Sequence, residues 1–596
     1  MSKSQKATTP PIGRHAPMPG GKAKEFKKTM KTLLQYLMIF KPSMFAVVFF
    51  SFFSTVFATI GPMLIGKTID GIKPPNIDFG YITHMIIWLV ALYVAASLFF
   101  YLQNYITAGV AMKVTHRLRK DISEKLNRLP LKYFDTVSHG EMLSRVTNDV
   151  ETVSQNLNQS LSQIISSAVT VVGVLIMMLW INLLMTVVAL VVVPLTSWSV
   201  GQIVKRSQGY FKQQQKSLGE LNGHIEEMYS GHNVVQAYTG EQDSAERFEE
   251  INNVMYASAW KSQFLSGLMM PFTHIIGNIG YVVVCILGGY LAVAGAITIG
   301  GIQAFIQYMR SFMQPITQLA TVSTVLQSTA AAAERIFEFL DAEEEPSEEP
   351  SGISTDDLDG SVTFKNVHFG YSDKTVINNF SAEILPGQRV AIVGATGAGK
   401  TTIVKLLMRF YEINGGEIFI DGVSIADIEK PQLRSMFGMV LQDTWLYNAS
   451  IADNIRYGSF DKTDSEVIAS SKAAHCDEFI HTLHGGYNMI LNEDTSNISQ
   501  GQKQLLTIAR VFLADPKILI LDEATSSVDT RTEVIIQHAM SRLMKNRTCF
   551  VIAHRLSTIR NSDVILVMKD GDIAEHGTHA QLLSSGGVYA QMYYSG

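Results

Sequence analysis

A chain of 596 residues exceeds one folding unit and predicts at least two domains. With 47% hydrophobic and only 17% charged residues, and a mean hydropathy of +0.15, its composition excludes an ordinary soluble protein and points to the membrane. The net charge of −5 averages a basic front and an acidic junction near residue 345, so it gives no ground for nucleic-acid binding; Cys285, Cys476 and Cys549 lie too far apart for a disulfide framework or a metal-ligand set.

Residues 1–32, rich in Pro, Gly and Lys, lack the apolar core of a signal peptide and are expected to form a disordered basic tail. Residues 33–340 form the expected membrane domain. Residues 43–66 and 85–112 contain no charge, and each is long enough to cross roughly 30 Å of hydrocarbon as a helix. No Asp, Glu, Lys, Arg or His stands between Glu151 and Lys205, a stretch that predicts two spans joined by a turn at Trp180-Ile181-Asn182. The run 263–325 divides at AGAITIGG into spans near 264–293 and 299–325, which brings the expected number to six. Core helices seldom stay uncharged for about twenty residues, so buried soluble helices explain this pattern poorly. Arg310 is the one clear charge inside a span, and a partner carboxylate and a substrate are equal readings for what it meets.

Lys22, Lys24, Lys27, Lys28, Lys31 and Lys41 precede the first span, and the loops 113–145 and 205–261 are rich in Lys and Arg. The positive-inside rule therefore places the N-terminus and both long loops in the cytoplasm. Those loops carry helical patterns and would extend the flanking spans by several turns. Their tips lie near YFDTVSHGEMLSRVTNDV and GHNVVQAYTGEQ, which could reach a cytoplasmic domain or present only a solvated face.

AEEEPSEEPSG then marks an acidic linker, 341–360, and 361–596 reads as an α/β domain of short β-branched runs alternating with helices. RVAIVGATGAGKTTIVKLL places a buried strand, a glycine loop and a helix in the order that a phosphate-binding loop requires. Gly394, Ala395, Thr396, Gly397, Ala398 and Gly399 would wrap phosphates with backbone N–H groups, assisted by Lys400 and by Thr401 and Thr402 at the helix start. Lys400 would reach the β- and γ-phosphates and Thr401 would ligate Mg²⁺. KILILDEATSSVD ends an apolar strand in two carboxylates: Asp522 is placed to hold Mg²⁺, and Glu523 to polarise the attacking water.

These motifs resemble the ATP-binding-cassette exporters in their half-transporter arrangement, a six-helix membrane domain followed by a P-loop ATPase domain. The resemblance implies that Tyr371, in HFGYSD, stacks on adenine, and that Gln442, in VLQDTW, joins Mg²⁺ and water to the membrane domain. It also implies that His554, in VIAHRLST, contacts the γ-phosphate. ISQGQ stands where the family's LSGGQ signature stands, so Ser499, Gly501 and Gln502 would close on ATP held by a partner's glycine loop; a plain helix cap at Ser499 is the alternative.

A chain with one ATPase domain then works as a dimer. Gln500 replaces a signature glycine, Ile498 replaces the usual Leu, and LNEDTSN lacks the usual Gly-Glu-x-Gly. This resembles the catalytically complete subunit of heterodimeric bacterial multidrug exporters, and a heterodimer is expected ahead of a homodimer. The implied activity is ATP-hydrolysis-driven export of amphipathic drugs or lipids by alternating access across the cytoplasmic membrane, with no nucleic-acid partner. An ATP-gated channel or a regulatory ATPase without pumping is the alternative.

Overall fold

The computed structural model describes residues 23–73, 76–346, 348, 352–355, 357–371, 374–441, 444–492, 495–522, 529–552 and 559–595. Two compact units result: Met1–Asn127 with Val137–Ala342, and Arg128–Thr136 with Glu343–Gly596.

The first unit is helical. Its helices are α1 (Phe26–Met38), α2 (Lys41–Asp70), α3 (Phe79–Leu126), α5 (His139–Ser144), α6 (Val150–Ile181), α7 (Leu183–Ser230), α8 (His232–Ala237), α9 (Glu241–Gly267), α10 (Met269–Val293) and α11 (Ile299–Leu340); β1 (Ile72–Lys73) and β2 (Asn76–Ile77) make a small hairpin. Helix α4 (Leu131–Thr136) belongs to the second unit.

Helix α1 begins inside the stretch expected to be a disordered tail, so residues 26–32 correct that expectation. Thr29, Leu33 and Leu37 recur every fourth residue and are buried, which gives the segment one apolar stripe. Glu334 of α11 accepts from the N–H groups of Lys24 and Glu25 at 2.9 and 2.8 Å, supplying the cap that the sequence before α1 lacks.

At 48 residues each, α3 and α7 run roughly 72 Å. They continue through the basic stretches after their apolar parts. The turn expected at 180–182 is present: α6 ends at Ile181, and the Asn182 side chain caps α7 by accepting from Met185 N at 3.1 Å.

Five stretches among the described residues are long and apolar enough to cross a membrane: Lys41–Asp70, Phe79–Leu126, His139–Ile181, Leu183–Ser230 and Glu241–Val293. The sixth expected span is helical, within α11, but is not one of them. Gln303, Gln307, Arg310 and Gln314 lower its apolarity, so length and composition do not carry the count of six.

Helix α11 instead packs tightly on α2. A Cβ on Gly300 would lie 1.9 Å from the carbonyl oxygen of Gly66, so only glycine allows this approach. Asp70 accepts from the Thr298 hydroxyl at 2.7 Å and from Gly300 N at 2.8 Å, fixing the start of α11. The Arg310 guanidinium stands 5.5 Å from the Tyr281 ring centroid, a cation–π contact within the unit.

The second unit is α/β. Its six-stranded sheet has the order β12-β11-β5-β10-β9-β8, where β5 is Arg389–Gly394, β8 Phe437–Val440, β9 Ile518–Asp522, β10 Thr548–Ile552, β11 Val564–Lys569 and β12 Asp572–Gly577. All neighbours are parallel except β11 and β12. A four-stranded antiparallel sheet has the order β4-β3-β6-β7, from β3 (Val362–Gly370), β4 (Thr375–Ile384), β6 (Gly415–Ile420) and β7 (Val423–Ser424). Helices α12 (Lys400–Leu407), α13 (Lys430–Ser435), α14 (Ile451–Arg456), α15 (Asp464–Ala473), α16 (Asp477–Thr482), α17 (Gln500–Ala514) and α18 (Thr530–Leu543) join the strands, and two short helices follow β12.

Strands β5, β9 and β10 are apolar at nearly every position because both sheet faces are covered. One core gathers Ile392, Ile520 and Phe550 with Phe364 and Phe380 of the antiparallel sheet. The acidic linker is docked on this unit: Glu348 pairs with Arg409 at 2.9 Å, and Glu345 lies 3.7 Å from Lys430 and 3.9 Å from Arg434.

Candidate functional site

Ligands of open parallel sheets bind beyond the carboxyl ends of the strands. The chain leaves β5 at Gly394 there and enters the loop 395–399 before α12. Gly399 takes φ +99°, and a Cβ on it would sit 2.6 Å from Ile377 Cδ1; a side chain is excluded both by backbone conformation and by space. As the N-cap of α12, Gly399 offers no side-chain acceptor. The N–H groups of the first turn of α12 thus keep their anion-binding capacity. The cradle therefore suits phosphate.

Lys400 Nζ is turned back onto the loop, donating to the carbonyl oxygens of Gly394 at 2.7 Å and Ala395 at 3.1 Å. Burial lowers its pKa, and the Asp522 carboxylate raises it. Ala395, Thr396, Gly397 and Thr401 are exposed, whereas Ala398 and Thr402 are buried. Tyr371 is 37% exposed, and its hydroxyl lies 3.2 Å from Thr402 Oγ1, which ties the ring to α12.

Asp522 ends β9, level with Ile552 of β10, whose other neighbour at that level is Ile392 of β5. The strand that ends in Asp522 thus stands two places from the glycine-loop strand. Gln442, Glu523 and His554 lie outside the described residues. They follow in sequence the ends of β8, β9 and β10, three adjacent parallel strands.

At the second phosphate-type turn, Ser499 is the N-cap of α17 in a capping box: its hydroxyl accepts from Gln502 N at 3.3 Å, and its own N–H donates to Gln502 Oε1 at 2.9 Å. Gly501 is buried. Ile498 packs in the core with Leu505 and Leu506, so its departure from Leu preserves an apolar role. Gln500 Nε2 donates to Thr444 Oγ1 at 3.2 Å, a partner that sequence spacing did not reveal across 56 positions. Beneath the turn, Arg510 donates from Nε to the Asn454 carbonyl at 2.9 Å, bracing α17 against α14.

Residues 44–316 match the model of the ABC transporter transmembrane region, and residues 377–526 match that of the ABC transporter domain. The chain belongs to the ABC transporters. It is 48% identical over 536 residues to the fatty acid ABC transporter ATP-binding/permease protein of Mycobacterium tuberculosis (strain CDC 1551 / Oshkosh), covering 90% of this chain and 84% of that protein. Against the ABC transporter ATP-binding protein YfiC of Bacillus subtilis (strain 168), identity is 41% over 96% of this chain and 95% of the relative. The ATP-dependent lipid A-core flippase of Vibrio vulnificus (strain YJ016) is 33% identical over 95% and 97% of the two chains. As an ABC half-transporter, the chain is a multi-pass membrane protein that binds ATP and couples its hydrolysis to transport.

Proposed function

We propose that this ABC half-transporter exports acyl-chain lipids or similarly amphipathic compounds across the cytoplasmic membrane, with its N-terminus and ATPase domain inside. The observation that carries this reading is one chain holding both membrane-length apolar helices and the 394–402 phosphate cradle. The fatty acid and lipid A-core named for two relatives support a lipid. Residues 33–340 form the membrane domain, 341–360 the linker and 361–596 the ATPase domain.

Tyr371 stacks on adenine, and residues 394–402 surround the phosphates. Thr401, Gln442 and Asp522 would hold Mg²⁺, which would supply neutralisation of phosphate charge. Glu523 accepts a proton from the attacking water, and His554 donates to the γ-phosphate.

The working unit is a dimer in which Ser499, Gly501 and Gln502 close on the partner's ATP. An unlike partner with an unaltered signature would complete this chain's own site. One observation favours a homodimer: the Gln500 amide is drawn aside to Thr444, so it need not stand where a γ-phosphate approaches.

Expression of this chain alone separates the two. The heterodimer predicts little amphiphile-stimulated ATPase activity without a second half-transporter, and little change from Gln500→Gly compared with substitutions in the partner's signature. A stable dimer of this chain alone with full stimulated activity would establish the homodimer instead.

A further inference from the structure

The segment Arg128–Thr136 forms one compact unit with residues 343–596. It carries Asp135, at the tip of the loop between α3 and α6. Within this unit the Tyr411 hydroxyl donates to Asp135 Oδ2, and Lys405 Nζ lies 3.7 Å from the same oxygen. That ammonium also stands 5.9 Å from the Tyr371 ring centroid and 5.6 Å from that of Tyr411. The two tyrosine rings meet edge to face, with centroids 5.0 Å apart and an interplanar angle of 89°. Phe369 closes the cluster at 4.9 Å from Tyr371 and 5.6 Å from Tyr411.

The two tyrosines differ in exposure: Tyr411 is 9% exposed and Tyr371 37%. Burial, and then Asp135, raise the Tyr411 pKa, so the phenol stays protonated and remains the donor. An edge-to-face contact fixes the plane of both rings. The orientation of the exposed ring is thus set by a buried one, and the buried ring is anchored by a carboxylate from a loop 276 positions away in the chain.

We propose that Asp135 and Tyr411 are positioning residues for the base of ATP, so that nucleotide binding and the docking of segment 128–136 strengthen each other. The inference rests on the reading that Tyr371 stacks on adenine. Linkage makes the effect reciprocal: whatever loosens Asp135 weakens ATP binding by the factor by which ATP would have tightened the segment.

The test compares steady-state ATP hydrolysis by the full-length transporter in membrane vesicles. Tyr411→Phe keeps the ring and removes only the donor, while Asp135→Asn keeps the shape and removes the charge, so both preserve packing. Each should raise KM for ATP about fivefold, the lower range of typical coupling between sites, with a smaller effect on kcat. The double variant should be no worse than the worse single one, and Asp135→Glu should recover part of the loss. An unmoved KM, or effects that add in the double variant, would overturn the proposal. Tyr371→Ala separates the two layers. If it leaves KM unmoved, the adenine reading falls and takes the inference with it. If it raises KM while Asp135→Asn and Tyr411→Phe do not, the adenine reading stands and the positioning role is wrong.

Discussion

Replacing Glu523 by Gln is expected to leave ATP binding intact and to lower turnover by a factor on the order of 10² or more, because it removes the group that polarises water. The expectation follows from its place in the chain. Asp522 is the last residue of β9, and β9 lies one strand from β8 and two from the strand that feeds the glycine loop. Glu523 is the next residue in the chain, and ligands of open parallel sheets bind beyond the carboxyl ends of the strands. Gln matches Glu in size and cannot accept a proton, so binding and chemistry separate. Equilibrium binding of a fluorescent ATP analogue, measured beside phosphate release, checks this. Near-normal hydrolysis by the pure variant would remove Glu523 from the role of base.

Lys400→Ala should act on binding itself. Its ammonium donates to the carbonyl oxygens of Gly394 and Ala395 within the loop, at 2.7 and 3.1 Å. It can exchange these carbonyls for phosphate oxygens without leaving the cradle. Losing a charge-assisted hydrogen bond of about 1.5–3 kcal/mol corresponds to an affinity loss of roughly ten- to a hundredfold. Burial already lowers the lysine's pKa, and Asp522 opposes that shift, so an added phosphate charge would favour the ammonium further. The two variants should therefore differ in kind. Glu523→Gln retains nucleotide and stalls, whereas Lys400→Ala fails to load it, and a titration of bound nucleotide distinguishes them.

What the sequence revealed was local. The alternation around 389–407 marked β5, the loop and α12, because a buried parallel strand is a continuous apolar run and glycines punctuate its end. The turn at Asn182 and the alternative reading of Ser499 as a helix cap were legible, and both side chains accept from the backbone N–H three residues on. Long-range partners were not legible, since periodicity reports which face of a segment is apolar and not which segment covers it. Nothing in the order of residues joined Asp135 to Tyr411, Gln500 to Thr444, or the linker's Glu348 to Arg409. The tail was misjudged where it begins α1, because its short apolar stripe among lysines has little helix signal of its own and gains its cap from Glu334, some three hundred residues later. Helix α11 shows the reverse limit. Its glutamines and Arg310 dilute an apolar pattern, so it meets the length of a span without the composition.

Inside-out membrane vesicles holding the transporter, with any partner it requires, give the most direct test of ATP-driven export. On addition of ATP and Mg²⁺, they should accumulate a fluorescent fatty acid or another amphipathic probe, and vesicles carrying Glu523→Gln should not. Equal accumulation by the Glu523→Gln vesicles, or ATP-dependent uptake of the probe into right-side-out cells, would contradict it.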